Sequence, residues 1–183
     1  MRKKIKVWHM EITDANKIPG AHDSPKRPYE LKKLNHNLPE FHRFLYLAVG
    51  AKWCWYMRLA WSYQQWLEFL SHSDISTWVA YLDGTPIGYF ELKNQRDGNV
   101  EIAYFGLIGE FIGRGYGRNL LEDAIRTAWT KGGKRVSLHT CTLDHPQALT
   151  NYLARGFKIF KEEEFEDNIP DEKIQPWPQA QKN

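Results

Sequence analysis

Residues 101–129 have the sequence EIAYFGLIGEFIGRGYGRNLLEDAIRTAW. An apolar strand that begins near Val100 enters a glycine-rich turn, Gly113-Arg114-Gly115-Tyr116-Gly117, and the turn leads directly into an amphipathic helix. Alternating glycines let the backbone point successive N–H groups into one concavity. The first turn of the helix adds N–H donors without intrahelical partners and the positive end of the helix dipole. The stretch therefore predicts a site for a phosphate or pyrophosphate.

Three kinds of phosphate loop, and an ordinary tight turn, compete to explain these glycines. A P-loop requires Lys-Ser/Thr after its last glycine, where this chain has Arg118-Asn119. A dinucleotide-binding loop has the spacing G-x-G-x-x-G and an acid at the end of the next strand. This chain has G-x-G-x-G, and the strand predicted at Arg135–Thr140 ends without an acid. At its glycines, Ile112–Gly117 resembles the coenzyme A loop Q/R-x-x-G-x-G/A of the GCN5-related N-acetyltransferases (GNAT), although Ile112 departs from that pattern.

A second motif follows at residues 144–157 and resembles the last conserved block of the same family, N-x-x-A-x-x-L-Y-x-x-x-G-F. The matching positions are Ala148, Tyr152, Gly156 and Phe157. His145 and Asn151 replace the usual Asn and Leu. Two motifs in the right order are more specific than either alone, so the chain is identified as a member of the GNAT superfamily, with a resemblance that covers residues 76–165.

The resemblance implies an α/β (α+β) fold in a single GNAT acyltransferase domain over residues 1–183. A central mixed, mostly antiparallel sheet would be flanked by about four helices and splayed at the strand ending near Leu107. The sequence predicts strands at Lys6–Ile12, Thr77–Leu82, Ile87–Leu92, Val100–Leu107, Arg135–Thr140 and Phe157–Phe165, and helices from Pro39 to Gly50, after Ser62, after the glycine turn and after Pro146. Thr13–Asn37 is predicted as a loop. The acidic run Glu162–Asp167 and prolines 170, 176 and 178 indicate no further strand and predict an irregular tail over residues 167–183.

Composition narrows the function classes. The net charge is +3 with dispersed Lys and Arg, so nucleic acid is not implied as a partner. No apolar run approaches the roughly 20 residues of a membrane span, and the basic N-terminus lacks the apolar region of a secretory signal. Two cysteines, Cys54 and Cys141, are too few for a disulfide framework and favour a reducing cytoplasm. A homodimer is compatible with the sequence.

The family resemblance implies acetyl-CoA as co-substrate, with no metal. The backbone around Phe105, Gly106 and Leu107 would bind the pantetheine and polarise the thioester carbonyl, and residues Gly113–Arg118 would bind the pyrophosphate. His145 stands where the family has a pantetheine-bonding Asn. It would donate the same hydrogen bond, act as a base, or cap the following helix.

Acyl transfer to an amine needs a proton acceptor, because an ammonium group is not a nucleophile. Glu101 is the candidate, since it is the only ionisable residue in an apolar strand, and partial burial is expected to raise its pKa toward neutrality. Its position relative to the glycine loop resembles that of a glutamate in the GCN5 histone acetyltransferases. The alternative is a solvated glutamate opposite a hairpin lysine such as Lys93, and Glu91 is the second choice.

Tyr152 is the candidate general acid for the coenzyme A sulfur. A phenol with a pKa of ~10 is protonated at neutral pH and can give its proton to a thiolate of pKa ~8.5. The alternative is a tyrosine packed in the core beside Leu149 and Leu153.

His139, Cys141 and His145 have a spacing, H-x-C-x3-H, that is poor for a structural zinc site, which needs four ligands. Aromatic residues crowd the segment between the first two predicted helices, which lines the acceptor site in the family: Trp53, Trp55, Tyr56, Trp61, Tyr63 and Trp66. They indicate either core packing or a pocket for an amine with an apolar portion. Two functions follow: an N-acetyltransferase acting on a primary amine of a small molecule or peptide, or a non-catalytic acyl-CoA-binding or sensory domain.

Overall fold

The computed structural model describes residues 2–14, 16, 27–130 and 133–170. Seven strands form one sheet in the order β2-β3-β4-β5-β6-β1-β7. The strands are β1 (Arg2–Ile12), β2 (Glu30–Lys33), β3 (Ile75–Leu82), β4 (Thr85–Asn94), β5 (Asn99–Leu107), β6 (Arg135–Cys141) and β7 (Lys158–Asn168). The helices are α1 (Pro39–Gly50), α2 (Tyr63–Leu70), α3 (Tyr116–Thr130) and α4 (Ala148–Leu153). Every neighbouring pair of strands is antiparallel except β5 and β6, which confirms the predicted mixed, mostly antiparallel sheet.

The predicted helices and the β3–β4–β5 meander are confirmed. The turn between β3 and β4 has Asp83 at φ 48° and Gly84 at φ 78°, the two positive angles that a two-residue hairpin turn of this kind requires. Ser62 begins α2 with a capping box, in which its side chain accepts from the Gln65 backbone and the Gln65 side chain accepts from the Ser62 backbone. None of the described helices is both long enough and apolar enough to cross a membrane.

The loop predicted over Thr13–Asn37 is only partly correct. Glu30–Lys33 forms β2 and pairs antiparallel with β3 at the edge of the sheet. Its sequence, ELKK, has no apolar alternation that would predict a strand. These residues form a strand because their backbone pairs with β3, not because they are buried. Residues 15 and 17–26 of the predicted loop lie outside the described residues.

The acidic run near the C-terminus belongs to the sheet. β7 continues to Asn168, so the predicted irregular tail does not begin at residue 167, and residues 171–183 lie outside the described residues. Cations of β1 face the acids of β7 in three cross-strand pairs: Arg2–Glu166, Lys4–Glu164 and Lys6–Glu162. Because opposite charges on facing strands attract, the acidic residues are compatible with a strand here, although each exposed pair contributes little alone.

The faces of the sheet carry different helices. α3 contacts β4, β5 and β6, whereas α1 contacts β4 and β5 and α2 contacts β3. Phe90 packs in the cluster with α3, and its neighbour Tyr89 packs in the cluster with α1. Since successive strand residues point to opposite faces, α3 and α1 cover opposite sides of the sheet.

The predicted splay lies between β5 and β6. These parallel strands pair only at Asn99–Arg135, Val100–Val136 and Glu101–Ser137. Beyond that point β5 continues to Leu107 and β6 to Cys141 without pairing to each other. The two strands therefore separate and open a gap in the sheet.

Candidate active site in the cleft between β5 and β6

A cleft of about 1190 Å³ occupies the gap where β5 and β6 separate. Its walls are the end of β5, the glycine-rich turn, β6 with α4, the segment 53–58 after α1, and the end of β7. Below it is called the β5–β6 cleft. Its volume is somewhat above the roughly 300–1,000 Å³ typical of small-molecule and cofactor sites.

The glycine-rich turn forms one end of the β5–β6 cleft. Gly113 and Gly115 both have φ +83°, so the predicted alternation of left-handed conformations is present. Apart from the glycine itself and its two chain neighbours, no described residue has an atom within 4 Å of the position a Cβ would take at Gly113 or Gly115. Gly117 lies in the first turn of α3 and also lines the cleft. The turn is open toward the cleft, as an anion cradle requires.

The side chains of the turn differ in their direction. Arg118 lines the β5–β6 cleft and pairs with Glu122 at 3.1 Å, with two thirds of its side chain exposed. The exposed Arg114 lies over the ring of Phe111, and Tyr116 packs edge-on against Tyr29.

The last residues of β5 line the cleft with their main chain. Phe105, Gly106 and Leu107 pair with β4 on one side and line the β5–β6 cleft on the other. Because β6 has already separated, the backbone N–H and C=O groups on this side are free of a strand partner and can bond a ligand. A Cβ at Gly106 would lie 2.5 Å from Val49 of α1, so glycine is needed for α1 to pack here.

The turn between β6 and α4 places His145 in the cleft. The Asp144 carboxylate fixes this turn by accepting from the Thr140 hydroxyl at 2.7 Å and the Cys141 backbone N–H at 2.9 Å. Nδ1 of His145 accepts from the backbone N–H of Gln147 at 3.1 Å, and its ring lies edge-on to Trp53 at 5.0 Å. Since Nδ1 accepts, a neutral ring carries its proton on Nε2 and is a donor there. His145 does not cap α4, whose N-cap is Gln147 without a side-chain capping bond, and the donor role predicted for His145 stays a prediction.

Tyr152 lies on α4, and its ring packs against Phe105 of β5 and against Phe157. The side chain is buried and packs edge-on against Phe105 at 6.1 Å and Phe157 at 6.0 Å. Burial, with a smaller effect of Asp144, raises the pKa of Tyr152 well above its ordinary value. The phenol therefore remains protonated at neutral pH, as a proton donor must be. Tyr152 lines the β5–β6 cleft together with Ala148, one turn earlier on α4.

Glu101 lies at the split and lines the cleft, but the expected rise in its pKa is wrong. The contact with His139 lowers the pKa of Glu101 more than partial desolvation raises it, and Lys93 and a hydrogen bond from Gln95 lower it further. Oε1 of Glu101 is 3.7 Å from Nδ1 of His139, which is an ion-pair distance rather than a hydrogen bond. Glu101 is consequently ionised throughout the neutral range.

The second choice, Glu91, is already engaged. It is buried, and its two carboxylate oxygens accept from the Arg58 guanidinium at 2.8 and 2.9 Å. Desolvation lowers the pKa of Arg58, and this bidentate pairing more than offsets it. Four rings enclose the guanidinium within 4.2–5.7 Å of their centroids: Phe69, Tyr104, Trp61 and Trp66. Glu91 therefore neutralises a buried arginine and is not a free base.

The aromatic residues between α1 and α2 divide into two groups. Trp53, Trp55 and Tyr56 line the β5–β6 cleft, and the Tyr56 hydroxyl donates to Asp167 of β7 at 2.6 Å. Trp61 and Trp66 instead pack around Arg58. Tyr63 is exposed on α2. Half of these aromatic residues therefore line the cleft, and two of the others enclose the buried Arg58.

Arg155 and Arg58 did not stand out in the sequence, and His139 was considered there only as a possible metal ligand. Arg155 lines the cleft beside Arg118, and both approach Glu122, which leaves this end of the cleft cationic. His139 and Arg58 belong to the opposite end. Arg155 could have been found as the cation directly before Gly156, and His139 from the alternation of polar residues along β6. Nothing in the sequence near Arg58 indicates that it pairs with Glu91 of β4. Among the described residues, no three His, Cys, Asp or Glu side chains form a group that could hold a metal.

Residues 34–157 match the sequence model of the Acetyltransferase (GNAT) family. The match covers more than half of the chain and contains both the glycine-rich turn and Tyr152, so the chain belongs to the GNAT family of acetyltransferases. This family uses acetyl-CoA as co-substrate. A search of curated proteins finds no significant match.

Solved structures of similar fold include other members of the family. A functionally unknown conserved protein from Staphylococcus epidermidis is 18% identical with a TM-score of 0.57, over 91% of this chain and 61% of that one. A putative GNAT acetyltransferase from Novosphingobium aromaticivorans is 17% identical with a TM-score of 0.59, over 87% and 62%. An aminoglycoside acetyltransferase from an uncultured soil metagenomic sample is 16% identical with a TM-score of 0.59, over 70% and 87%. The chain spans about three fifths of the length of the first two, and at these identities the likeness shows the fold.

The buried pair of Arg58 and Glu91 generates a stability prediction. Glu91→Gln keeps the shape but leaves the guanidinium without its counter-charge, and should lower the free energy of unfolding by about 3 kcal/mol or more. Glu164→Gln, which breaks an exposed pair, should change it by less than about 0.5 kcal/mol. Urea denaturation followed by circular dichroism measures both, and equal effects would show that the buried pair is not a stabilising contact.

Proposed function

We propose that this protein is an N-acetyltransferase that moves the acetyl group of acetyl-CoA to a primary amine of a small molecule or peptide. The observation that carries the proposal is the β5–β6 cleft, because it joins two chemically different ends. One end has the glycine cradle, the start of α3 and the cations Arg118 and Arg155. The other has an ionised carboxylate, a histidine and aromatic rings. An anionic cofactor and a cationic acceptor would thus meet where the strands split.

Acetyl-CoA would lie along the first end of the cleft. Its pyrophosphate would bind the backbone amides between Gly113 and Arg118, and the pantetheine would follow the free main-chain edge of Phe105, Gly106 and Leu107. A backbone N–H of this edge would polarise the thioester carbonyl. His145 at the entry to α4 would offer the pantetheine a further donor.

Tyr152 would protonate the leaving sulfur. It is held between Phe105 and Phe157, it lines the cleft, and its phenol is protonated at neutral pH. At the opposite side, the negative charge of Glu101 would attract the ammonium group of the acceptor.

The acceptor end favours an amine that carries an apolar portion. Trp53, Tyr56, Met57 and Phe69 line it, and Arg58 adds no net charge because Glu91 neutralises it. The remaining charged residues at this end are the anions Glu101 and Asp167 and the cation Lys93, which lies opposite Glu101 on β4. An aminoglycoside acetyltransferase has a similar fold, but this aromatic wall is better suited to an arylalkylamine than to a polyhydroxylated sugar.

A thiol-release assay with acetyl-CoA tests the proposed function. The panel should contain phenylethylamine and tryptamine, a lysine peptide, and an aminoglycoside. We expect thiol release with at least one amine, and faster release with the arylalkylamines. Binding of acetyl-CoA without release over the whole panel would instead support the non-catalytic acyl-CoA-binding or sensory domain.

The cofactor cradle can be tested separately at Gly115. Gly115→Val would place a branched side chain in the open space of the cradle and strain a backbone held at φ +83°, so binding of coenzyme A should fall below detection by calorimetry. Gly84→Val is the matched control, because Gly84 has φ +78° with equally open surroundings but lies in the β3–β4 turn. If both variants fold and bind coenzyme A alike, the cradle is not at Gly115.

The role of Tyr152 predicts a specific kinetic defect. Tyr152→Phe keeps the ring contacts and removes only the proton donor, so kcat should fall about 100-fold while the Kd of acetyl-CoA is unchanged. Tyr63→Phe, at an exposed position on α2, should retain wild-type turnover. Wild-type turnover in a Tyr152→Phe enzyme whose chemical step limits the rate would remove Tyr152 from the mechanism.

A further inference from the structure

Glu101 and His139 stand side by side at the point where the sheet divides. Glu101 belongs to the last residue pair of β5 and β6, opposite Ser137. His139 lies two residues further along β6, on the same face as Ser137 and beyond the last pair. Both side chains line the acceptor end of the β5–β6 cleft, with Nδ1 of His139 at 3.7 Å from Oε1 of Glu101.

Neighbouring side chains orient the Glu101 carboxylate toward His139. Oε2 of Glu101 accepts from the side-chain amide of Gln95 at 2.9 Å, which leaves Oε1 toward His139. Across β4, Lys93 is the strand partner of Glu101. Because Nδ1 of His139 faces a carboxylate, the ring proton belongs on Nδ1, and Nε2 is the nitrogen that can accept a proton.

We infer that His139 accepts the proton released by the acceptor amine. Glu101 would position this histidine and stabilise the imidazolium that forms. The inference rests on the proposed N-acetyltransferase function and adds the residue that its chemistry needs on the acceptor side. His139 would be the catalytic base, and Glu101 the positioning residue. This division of roles follows from the lowered pKa of Glu101. The Glu101 carboxylate is too weakly basic to deprotonate an ammonium group itself, but its negative charge stabilises an imidazolium.

The step balances in atoms and electrons. The amine nitrogen forms a bond to the thioester carbonyl carbon, and the C–S bond breaks with its electron pair on sulfur. The ammonium nitrogen loses one proton to Nε2 of His139 before the attack and a second proton to solvent as the amide forms, and the Tyr152 phenol gives a proton to the sulfur. The imidazolium and the phenolate then exchange protons with solvent, which leaves an amide and free coenzyme A.

The charges around His139 support this role. The contact with Glu101 raises the pKa of His139 above its ordinary value, against desolvation, and Asp144 raises it further. On β1, the ring of His9 is 5.9 Å away, and Nε2 of His9 lies 2.9 Å from Glu163 of β7. Lys161 pairs with the same Glu163. A base must be unprotonated to act, so activity should fall as the pH drops through the raised pKa of His139, and removal of the Glu101 charge should move that fall to lower pH.

Two measurements on the full chain test the inference. The first is a proton NMR titration of the imidazole C–H signals, in which the His139 signal is identified by its loss in His139→Gln. It needs no substrate, so it remains informative if no amine in the panel is acetylated. We expect the pKa of His139 to be lower in Glu101→Gln than in wild type. An unchanged pKa would overturn the pairing of Glu101 with His139.

The second measurement is kcat/KM from pH 5.5 to 9.5 with the best acceptor. His139→Gln should lower kcat/KM about 100-fold and abolish the acidic limb, and His72→Gln, an exposed histidine outside the cleft, should leave both unchanged. In Glu101→Gln the acidic limb should move to lower pH by the same amount as the NMR pKa. Retained activity in His139→Gln, or an acidic limb that does not follow the NMR pKa, would overturn the role of His139 as base.

Discussion

The early separation of β5 and β6 is the constraint on which the rest of the structure depends. Pairing between the two parallel strands ends at Glu101 and Ser137, although both strands continue. The unpaired edge of β5 would be costly if it were buried without partners, since backbone N–H and C=O groups require them. In the β5–β6 cleft this edge instead faces the space that a pantetheine chain would occupy. Aromatic side chains cover both faces of β5 beside the gap: Tyr152 packs against Phe105 on one face, and Trp55 packs against Tyr104 at 4.8 Å on the other.

Local contacts set the charges at the two ends of the cleft. At the cofactor end, backbone N–H groups, a helix start and two arginines attract an anion, and Glu122 is shared between those arginines rather than placed in the cradle. At the acceptor end, Glu91 cancels the charge of Arg58, so the ionised Glu101 is not opposed by that cation. Without that buried pair, an uncompensated guanidinium would repel the ammonium group that the reaction requires.

The sequence predicts those parts of the structure that depend on neighbouring residues. The glycine alternation gives two residues at φ +83°, the Asp83-Gly84 turn closes its hairpin, and the capping box begins α2. The missed features depend on distant partners. The charged strand β2 forms because β3 offers it hydrogen bonds, and β7 extends beyond its predicted end at Phe165 because its last residues pair with the start of β1. The error in the pKa of Glu101 has the same origin, because desolvation can be anticipated from the apolar strand but the contact with His139 of β6 cannot.

The two halves of the site are therefore encoded differently. The cofactor half comes from one nearly continuous stretch, from β5 through α4, whose motifs have fixed spacings. The acceptor half is assembled from the segment 53–58, β5, β6 and the end of β7, joined by contacts such as that between Tyr56 and Asp167. Side chains of the acceptor half lie outside the glycine cradle, so substitutions there can change the amine that is bound while the cradle remains intact. For this reason the family and its cofactor can be identified from sequence motifs, whereas the class of acceptor must be inferred from the assembled wall of the cleft.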